Sequence, residues 1–343
     1  MRRQFNTETN EVSIRKILRY SFTLAVMIAA VYFFYLQYKN NADLISTYDF
    51  SITPYYIFVS IIIGSIALLS GPFVWRIYVN NYLNEKLNYS ESYALYCTSA
   101  MFKYIPGKIW TYAAQITLMS SKKISNVVLI YINMVSFICL AFVSAMFASY
   151  YYLFCVRVTT LEISILTFIL LIVLDFVFIV WNNSIINFLI VPVNRLFRVE
   201  IKPLKTKKII FVYTQLFYFF SYILLGVAMY FLARGLNMKI PLTSMIAIMA
   251  TISVSAMAGY VAFFSMGGLG VREGTMFFML RQFSGIEAAL ILPIATRILL
   301  TVVELFMGIV ALIIGLRYGY FSELANGRPE GSMIMKTKAN TDL

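Results

Sequence analysis

The chain has 343 residues, of which 61% are hydrophobic and only 13% are charged. Soluble domains average roughly 25% charged residues, so this composition excludes an ordinary soluble protein and indicates an integral membrane protein. The net charge of +13 does not require a nucleic-acid partner, because cytoplasmic loops of membrane proteins are rich in Lys and Arg. The absence of histidine excludes His-based catalysis and His metal sites. The cysteine spacing indicates neither a metal site nor a disulfide framework, so we expect no cofactor.

The apolar runs predict a single membrane domain over residues 18–316. Residues 1–17 are polar and basic and are expected to be a cytoplasmic N-terminal segment. Residues 317–343 are polar and are expected to be a disordered cytoplasmic tail. Full spans are predicted at about 18–36, 54–75, 124–154, 162–181, 209–233 and 288–316.

Two polar stretches interrupt the apolar sequence, and each combines helix-breaking residues with charge. The first is Lys103–Lys108 (Lys-Tyr-Ile-Pro-Gly-Lys), and the second is Gly267–Glu273 (Gly-Gly-Leu-Gly-Val-Arg-Glu). In a bilayer, broken backbone is tolerated only where protein or a water-filled cavity satisfies its polar groups. Because the arms of the first break are about half a membrane thickness long, we predict re-entrant hairpins at about 90–121 and 240–283.

The resulting fold prediction is an all-α polytopic membrane protein with about six full transmembrane helices and two opposed re-entrant hairpins, which makes eight helical segments. This layout puts most Lys and Arg residues, including the basic 182–208 loop, on the cytoplasmic side with both termini. If both broken segments crossed fully, that loop would face outward. Opposed broken segments are consistent with an inverted repeat, the pattern of transporters whose half-helix N-termini point at anionic substrates.

The broken segments and the charges of the last span supply the candidate site for an anionic, membrane-borne substrate. Helix N-termini offer unpaired N–H groups, and nearby Arg and Lys side chains add positive charge suited to phosphate. The alternative interpretation is that the glycines only permit tight helix packing and the lysines extend toward the interface. The predicted substrate-binding residues are Lys103, Pro106, Gly107, Lys108, Gly267, Gly268, Gly270, Arg272, Glu273, Arg297 and Glu304.

Arg297 and Glu304 lie two helical turns apart on the last span, a rise of roughly 10 Å that is too long for a direct pair. We therefore predict that Glu273 pairs with Arg297, and Glu304 with Arg272 or a hairpin lysine. A purely structural ion-pair network is the alternative. Asp175 is a candidate proton-coupling carboxylate, with a protein-facing position near the cytoplasmic end of its helix as the alternative.

These motifs resemble the lysylphosphatidylglycerol synthase transmembrane-region family, also called the flippase-like membrane domain family. The matching features are Trp75-Arg76 at the end of the second span, Lys103–Trp110, and Gly267–Glu273, within a resemblance that covers about residues 15–320. Met266 is a departure, because the family usually has a proline before the glycine pair. This departure changes the turn geometry that we expect, but it does not change the resemblance.

The best-known members of that family fuse this domain to a soluble domain that attaches an amino acid to a phospholipid. About 27 residues follow the last span here, too few to fold alone, so we expect no synthase activity. The resemblance implies a standalone, flippase-like protein of the cytoplasmic (inner) membrane that moves a phospholipid or a polyprenyl-linked sugar between leaflets in cell-envelope biogenesis. Envelope-biosynthesis enzymes are candidate partners. The alternatives are a membrane-embedded transferase acting on a polyprenyl phosphate, for which no catalytic constellation is recognisable, and a scaffold for envelope-polysaccharide enzymes.

Overall fold

The computed structural model describes residues 51–105, 109–122, 124–152, 161–197, 205–262 and 265–318, together with the isolated positions 32, 35, 36 and 39. The N-terminal segment, nearly all of the first predicted span and the tail from residue 319 onward lie outside the described residues. Within the described ranges, all regular secondary structure is helical. The prediction of an all-α fold is therefore confirmed for this part of the chain.

The α-helices are numbered in chain order. They are α1 (Pro54–Leu68), α2 (Ser70–Tyr82), α3 (Tyr89–Met101), α4 (Ile109–Leu118), α5 (Asn126–Tyr151), α6 (Leu161–Phe197), α7 (Lys208–Gly235), α8 (Met245–Val261), α9 (Val271–Leu280) and α10 (Ile286–Arg317).

Six stretches in the described residues are long and apolar enough to cross a membrane, which supports an integral membrane protein. Five of them coincide with predicted spans. The sixth, Leu242–Val261, was predicted as the long arm of the second hairpin, and its 20 residues reach the length of a full span. The six stretches are Pro54–Tyr82, Asn126–Tyr151, Ile165–Ile185, Lys208–Gly235, Leu242–Val261 and Ile286–Arg317.

Two predicted boundaries were wrong. The second span continues beyond residue 75 to Tyr82, and α6 extends into the predicted 182–208 loop as far as Phe197. The stretch 185–193 is mostly apolar, and a helix satisfies the backbone of such a stretch internally. The helix therefore ends later than the position that the basic loop suggested.

The helix of the second span is interrupted at Leu69, where α1 meets α2, and Pro72 accounts for the interruption. Proline has no N–H, so the carbonyl of Leu68 loses its helical partner, and the proline ring crowds that carbonyl. Gly71 lies against Tyr96 of α3, where an added Cβ would lie 2.9 Å from the tyrosine ring. Glycine at this position lets α2 and α3 approach closely.

The first predicted hairpin consists of α3 and α4, separated by the 3₁₀ turn Phe102–Tyr104 and the undescribed residues 106–108. Asn88 and Glu91 form a reciprocal capping box that starts α3. Glu91 Oε1 also accepts a hydrogen bond from Lys122 Nζ, 3.2 Å away, just beyond the end of α4. The outer ends of the two helices therefore lie together. With 13 and 10 residues, α3 and α4 are roughly 20 and 15 Å long, short of the ~30 Å hydrocarbon core.

Hydrogen bonds define one end of the helical bundle, which we call the Thr206 face. Thr206 Oγ1 shares hydrogen bonds with the hydroxyls of Tyr82 and Tyr131, at 2.5 and 2.9 Å. The Asn183 amide makes two further bonds, each 3.0 Å long, to the Thr206 backbone. The end of α2, the start of α5, the middle of α6 and the residues before α7 therefore meet at this face.

The opposite end, which we call the Gly235 face, is joined by different contacts. The Thr53 N–H donates to the Gly235 carbonyl at 2.9 Å, which links the start of α1 to the end of α7. The Tyr151 hydroxyl donates to the Met279 carbonyl at 2.9 Å, which links the ends of α5 and α9. Described Lys and Arg residues are more numerous near the Thr206 face (Arg76, Lys86, Lys122, Lys205, Lys207, Lys208, Arg317) than near the Gly235 face (Arg234, Lys239, Arg281).

The apolar core has two parts. The larger cluster joins α3 and α7 to α8, α9 and α10, with Ile248 and Phe277 fully buried in it. The smaller cluster joins α2 and α5 to the start of α7, with Tyr78 and Phe211 at its centre. Tyr96 packs against both clusters and lines the cavity described next.

Candidate functional site

A cavity of about 300 Å³ brings the two broken segments together. The first segment contributes Lys103 and Tyr104, and the second contributes Gly267, Arg272 and Glu273. Helix α10 adds further lining residues, namely Pro293, Thr296, Arg297, Leu300, Glu304 and Met307. The two broken segments thus line one shared space.

The turn before α9 depends on its glycines. Gly267, Gly268 and Gly270 have φ values of 54°, 81° and 83°, in the left-handed region where glycine alone is unstrained. A Cβ on Gly268 would also lie 2.9 Å from the Cα of Gly259 on α8. Met266 begins a 3₁₀ turn where the resemblance suggested proline. Gly268 and Gly270 therefore shape the turn and are not among the residues that line the cavity.

Glu273 caps the helix that it belongs to. The N–H of Gly270, the N-cap of α9, donates to Glu273 Oε2 at 2.7 Å, which completes the N-terminal turn from within. The predicted anion-binding helix N-terminus is therefore partly occupied by the protein's own carboxylate. Any positive charge offered to a ligand comes mainly from side chains.

The predicted ion pairs are present, and each joins a broken segment to α10. Arg297 Nε lies 3.6 Å from Glu273 Oε1 of α9. Glu304 Oε1 lies 2.6 Å from Lys103 Nζ, and Glu304 Oε2 accepts the Tyr104 hydroxyl at 2.5 Å. Of the two predicted partners for Glu304, Arg272 and a hairpin lysine, the structure selects the lysine.

Arg272 differs from the other two cations of the cavity. It forms no salt bridge with a carboxylate of the described residues, and its guanidinium lies 5.3 Å from the centre of the Tyr260 ring. Its Nε and Nη2 of Arg297 are buried and have no hydrogen-bond partner in the part of the chain that the structure describes. Three cations and two carboxylates line the described cavity, which gives a formal excess of one positive charge. Such a charge is costly away from water, so the site is suited to an anion.

Sequence reasoning missed most of the uncharged polar lining. Gln115 of α4 and Asn133 of α5 are isolated amides in apolar helices, and a polar group in a membrane helix was a usable signal. The tyrosines gave no comparable signal, because tyrosine is also common at membrane interfaces. The lining tyrosines are Tyr96, Tyr104, Tyr112, Tyr218, Tyr222 and Tyr260.

Some predicted site residues are elsewhere or cannot be placed. Pro106, Gly107 and Lys108 lie outside the described residues. Asp175 is buried on α6, accepts a hydrogen bond from the Gln215 amide of α7, and is not among the cavity-lining residues. It therefore faces protein, in line with the structural alternative. The contacts give no direct link between Asp175 and the cavity.

The glycine turn yields a stability prediction. We expect Gly268→Ala to lower the stability of the purified protein, because an L-residue in the left-handed region costs about 1–2 kcal/mol before any steric clash. Gly274→Ala is the matched control, since its Cβ would meet nothing within 4 Å in a helix interior where alanine is favoured by about 0.5–1 kcal/mol. Thermal unfolding in detergent should show opposite shifts. Equal shifts would contradict the strained-turn assignment.

A second prediction separates the two buried arginines. Arg297→Met should lower Tm strongly, because it leaves the carboxylate of Glu273, 8% exposed, without its cation, and breaking a buried pair costs about 3–5 kcal/mol. Arg272→Met removes an unpaired charge, so we expect Tm to stay the same or rise. If both variants lose comparable stability, Arg272 has a structural anionic partner and is not reserved for a ligand.

Neither a scan against protein-family models nor a search of curated proteins found a match to this chain. The resemblance drawn from the Lys103–Trp110 and Gly267–Glu273 motifs therefore stays a prediction.

Proposed function

We propose that this protein is a lipid transporter, which moves an anionic or glycosylated membrane lipid between leaflets during cell-envelope biogenesis. The observation that carries the proposal is Arg272, a cavity-lining guanidinium without an ionic partner among the described residues. Proteins keep uncompensated charges in apolar surroundings chiefly where function requires them. A phosphate, which arginine can bind through two N–H groups, would complete the charge balance.

The physical task of such a transporter is to offset the lost hydration of the head group. An isolated charge in hydrocarbon is very unfavourable, whereas the lipid's tail is already in its preferred environment. Arg272 would bind the phosphate directly. Lys103 and Arg297 already have carboxylate partners, at 2.6 and 3.6 Å, and they would add positive potential without adding net charge.

An apolar groove between α5 and α8 is placed to hold the tail of that lipid. It has a volume of about 580 Å³, is lined mainly by small side chains such as Ala145 and Ala258, and includes Val271. Val271 immediately precedes Arg272, which lines the cavity. A lipid with its phosphate at Arg272 could therefore keep its tail in this groove, in contact with the membrane.

The proposed topology has opposed hairpins, and two contacts and one chain connection support it. The Glu91–Lys122 ion pair holds the outer ends of α3 and α4 together, so this hairpin would enter from the Thr206 face. The start of α8 follows the end of α7 at the Gly235 face, and the Tyr151–Met279 hydrogen bond ties the end of α9 to the same face. The two broken segments would then meet from opposite leaflets, and the more basic Thr206 face would be cytoplasmic, together with both termini.

Single-cysteine labelling tests this topology. In a background without Cys97, Cys139 and Cys155, Lys205→Cys should resist a membrane-impermeant thiol reagent in intact cells, and Gln282→Cys should react. Both positions are exposed and lie at opposite ends of the bundle. Permeabilised cells should label both variants, which controls for reactivity. Labelling of both, or of Lys205→Cys alone, in intact cells would remove the proposed orientation.

Transport itself can be measured in liposomes that contain the purified full chain. We expect faster inter-leaflet transfer of anionic lipid than of zwitterionic lipid, and Arg272→Ala should slow anionic transfer by roughly tenfold to a hundredfold. This range follows from about 1.5–3 kcal/mol for a hydrogen bond to a charged group. Arg281→Ala is the matched control, because Arg281 is exposed outside the cavity.

The outcomes distinguish the competing functions. Equal transfer in protein-containing and empty liposomes, with and without an ion gradient, would overturn the transporter proposal. Chemical conversion of the lipid, detected by mass spectrometry, would favour the membrane-embedded transferase instead. Loss of transport in both Arg272→Ala and Arg281→Ala would point to a general charge effect and not to a site at Arg272.

A further inference from the structure

The cavity has a second polar wall without charged side chains. Phosphate binding does not account for this wall. The charged groups come from the two broken segments and α10, whereas α4, α5 and α7 supply amides and hydroxyls. Gln115 of α4 is only 3% exposed and belongs to this wall. A buried amide in a membrane protein needs either an internal partner or a ligand.

The two amides of this wall are arranged as a donor beside an acceptor. Asn133 Nδ2 donates to Gln115 Oε1 at 2.6 Å and to the Leu129 carbonyl at 2.8 Å. That arrangement uses the nitrogen of one amide and the oxygen of the other. Gln115 Nε2 and Asn133 Oδ1 have no hydrogen bond with another described residue. A hydroxyl group both donates and accepts, so neighbouring hydroxyls on one ligand would satisfy both atoms.

Two threonine hydroxyls add to this polar wall. Thr111 of α4 and Thr296 of α10 line the cavity, and each has a buried Oγ1 without a hydrogen-bond partner among the described residues. Thr296 is only 3% exposed. Because buried polar groups are nearly always hydrogen-bonded, these atoms mark a place where a polar ligand would be stabilised.

From these contacts we infer that the carried lipid bears one sugar ring on its phosphate, and that the Gln115–Asn133 wall binds this sugar. The inference rests on the proposed function and names the class of head group. Tyrosine rings such as Tyr112 and Tyr218 offer apolar faces and hydroxyl tips, which suits a ring with both C–H and O–H groups. The cavity of about 300 Å³ is at the small end of ligand pockets, ~300–1,000 Å³, and favours one sugar over a longer chain.

Competition binding to the purified full chain in detergent tests the inference. The probes are a short-chain polyprenyl-phosphate hexose, the same polyprenyl phosphate without sugar, and phosphatidylglycerol. We expect the hexose lipid to bind at least about tenfold more tightly than the bare phosphate, because buried groups built for a ligand hydroxyl reject analogues that lack it.

Substitutions in the wall test which side chains select the hexose lipid over the bare phosphate. Gln115→Leu and the near-isosteric Thr296→Val should bring the hexose lipid to within about twofold of the bare phosphate, since each removes a polar group of the wall and neither removes a cation of the site. Gln282→Leu, an exposed amide outside the cavity, should change nothing. Tm of each variant shows whether it is folded, and Thr296→Val tests the inference if Gln115→Leu does not fold.

The result separates this inference from the proposed function. If Arg272→Ala weakens every anionic probe but wild type binds the hexose lipid and the bare phosphate equally, the sugar assignment is overturned and the transporter proposal stands. Tighter binding of phosphatidylglycerol than of the hexose lipid would assign the wall to a glycerol group and would also overturn it. If Arg272→Ala affects no probe, the anion site fails first and the proposed function fails with it.

Discussion

The structure depends on the constraint that charge in apolar surroundings must be compensated. Lys103 with Glu304 and Arg297 with Glu273 meet this constraint by pairing across elements, at 2.6 and 3.6 Å. Both pairs include α10, so that helix holds the two broken segments in one arrangement. Arg272 is the exception, because it forms no salt bridge with a carboxylate of the described residues, and its charge makes the described cavity suited to an anion.

The same pairs also determine what a bound anion would do. A phosphate near Lys103 or Arg297 competes with the carboxylate that each cation already contacts, because a cation shared between two anions binds each less strongly. Binding would therefore weaken the contacts of α10 with the broken segments.

Several features were readable from local sequence because their causes are local. The glycine string predicted a break, and the three positive φ values at Gly267, Gly268 and Gly270 explain why glycine is needed there. Pairing of Glu273 with Arg297 followed from the cost of burying either group alone. The predicted end of α6 was wrong. Charged loop residues do not locate the last helical turn when an apolar stretch lies between them and the predicted helix end. The sequence left open whether α8 crosses the membrane or re-enters it, since both arrangements fit the same length and composition.

By itself, the sequence determined that this is a helical membrane protein, where its backbone breaks, and which charged residues need partners. These properties follow from composition and short-range backbone chemistry, which do not depend on the arrangement of helices. Only the tertiary structure decided that Lys103, and not Arg272, pairs with Glu304. It alone also placed Gln115 beside Asn133 in the same cavity. Partner choice and cavity lining depend on which helix faces meet in space, and in nearly uniformly apolar helices no residue pattern specifies those faces.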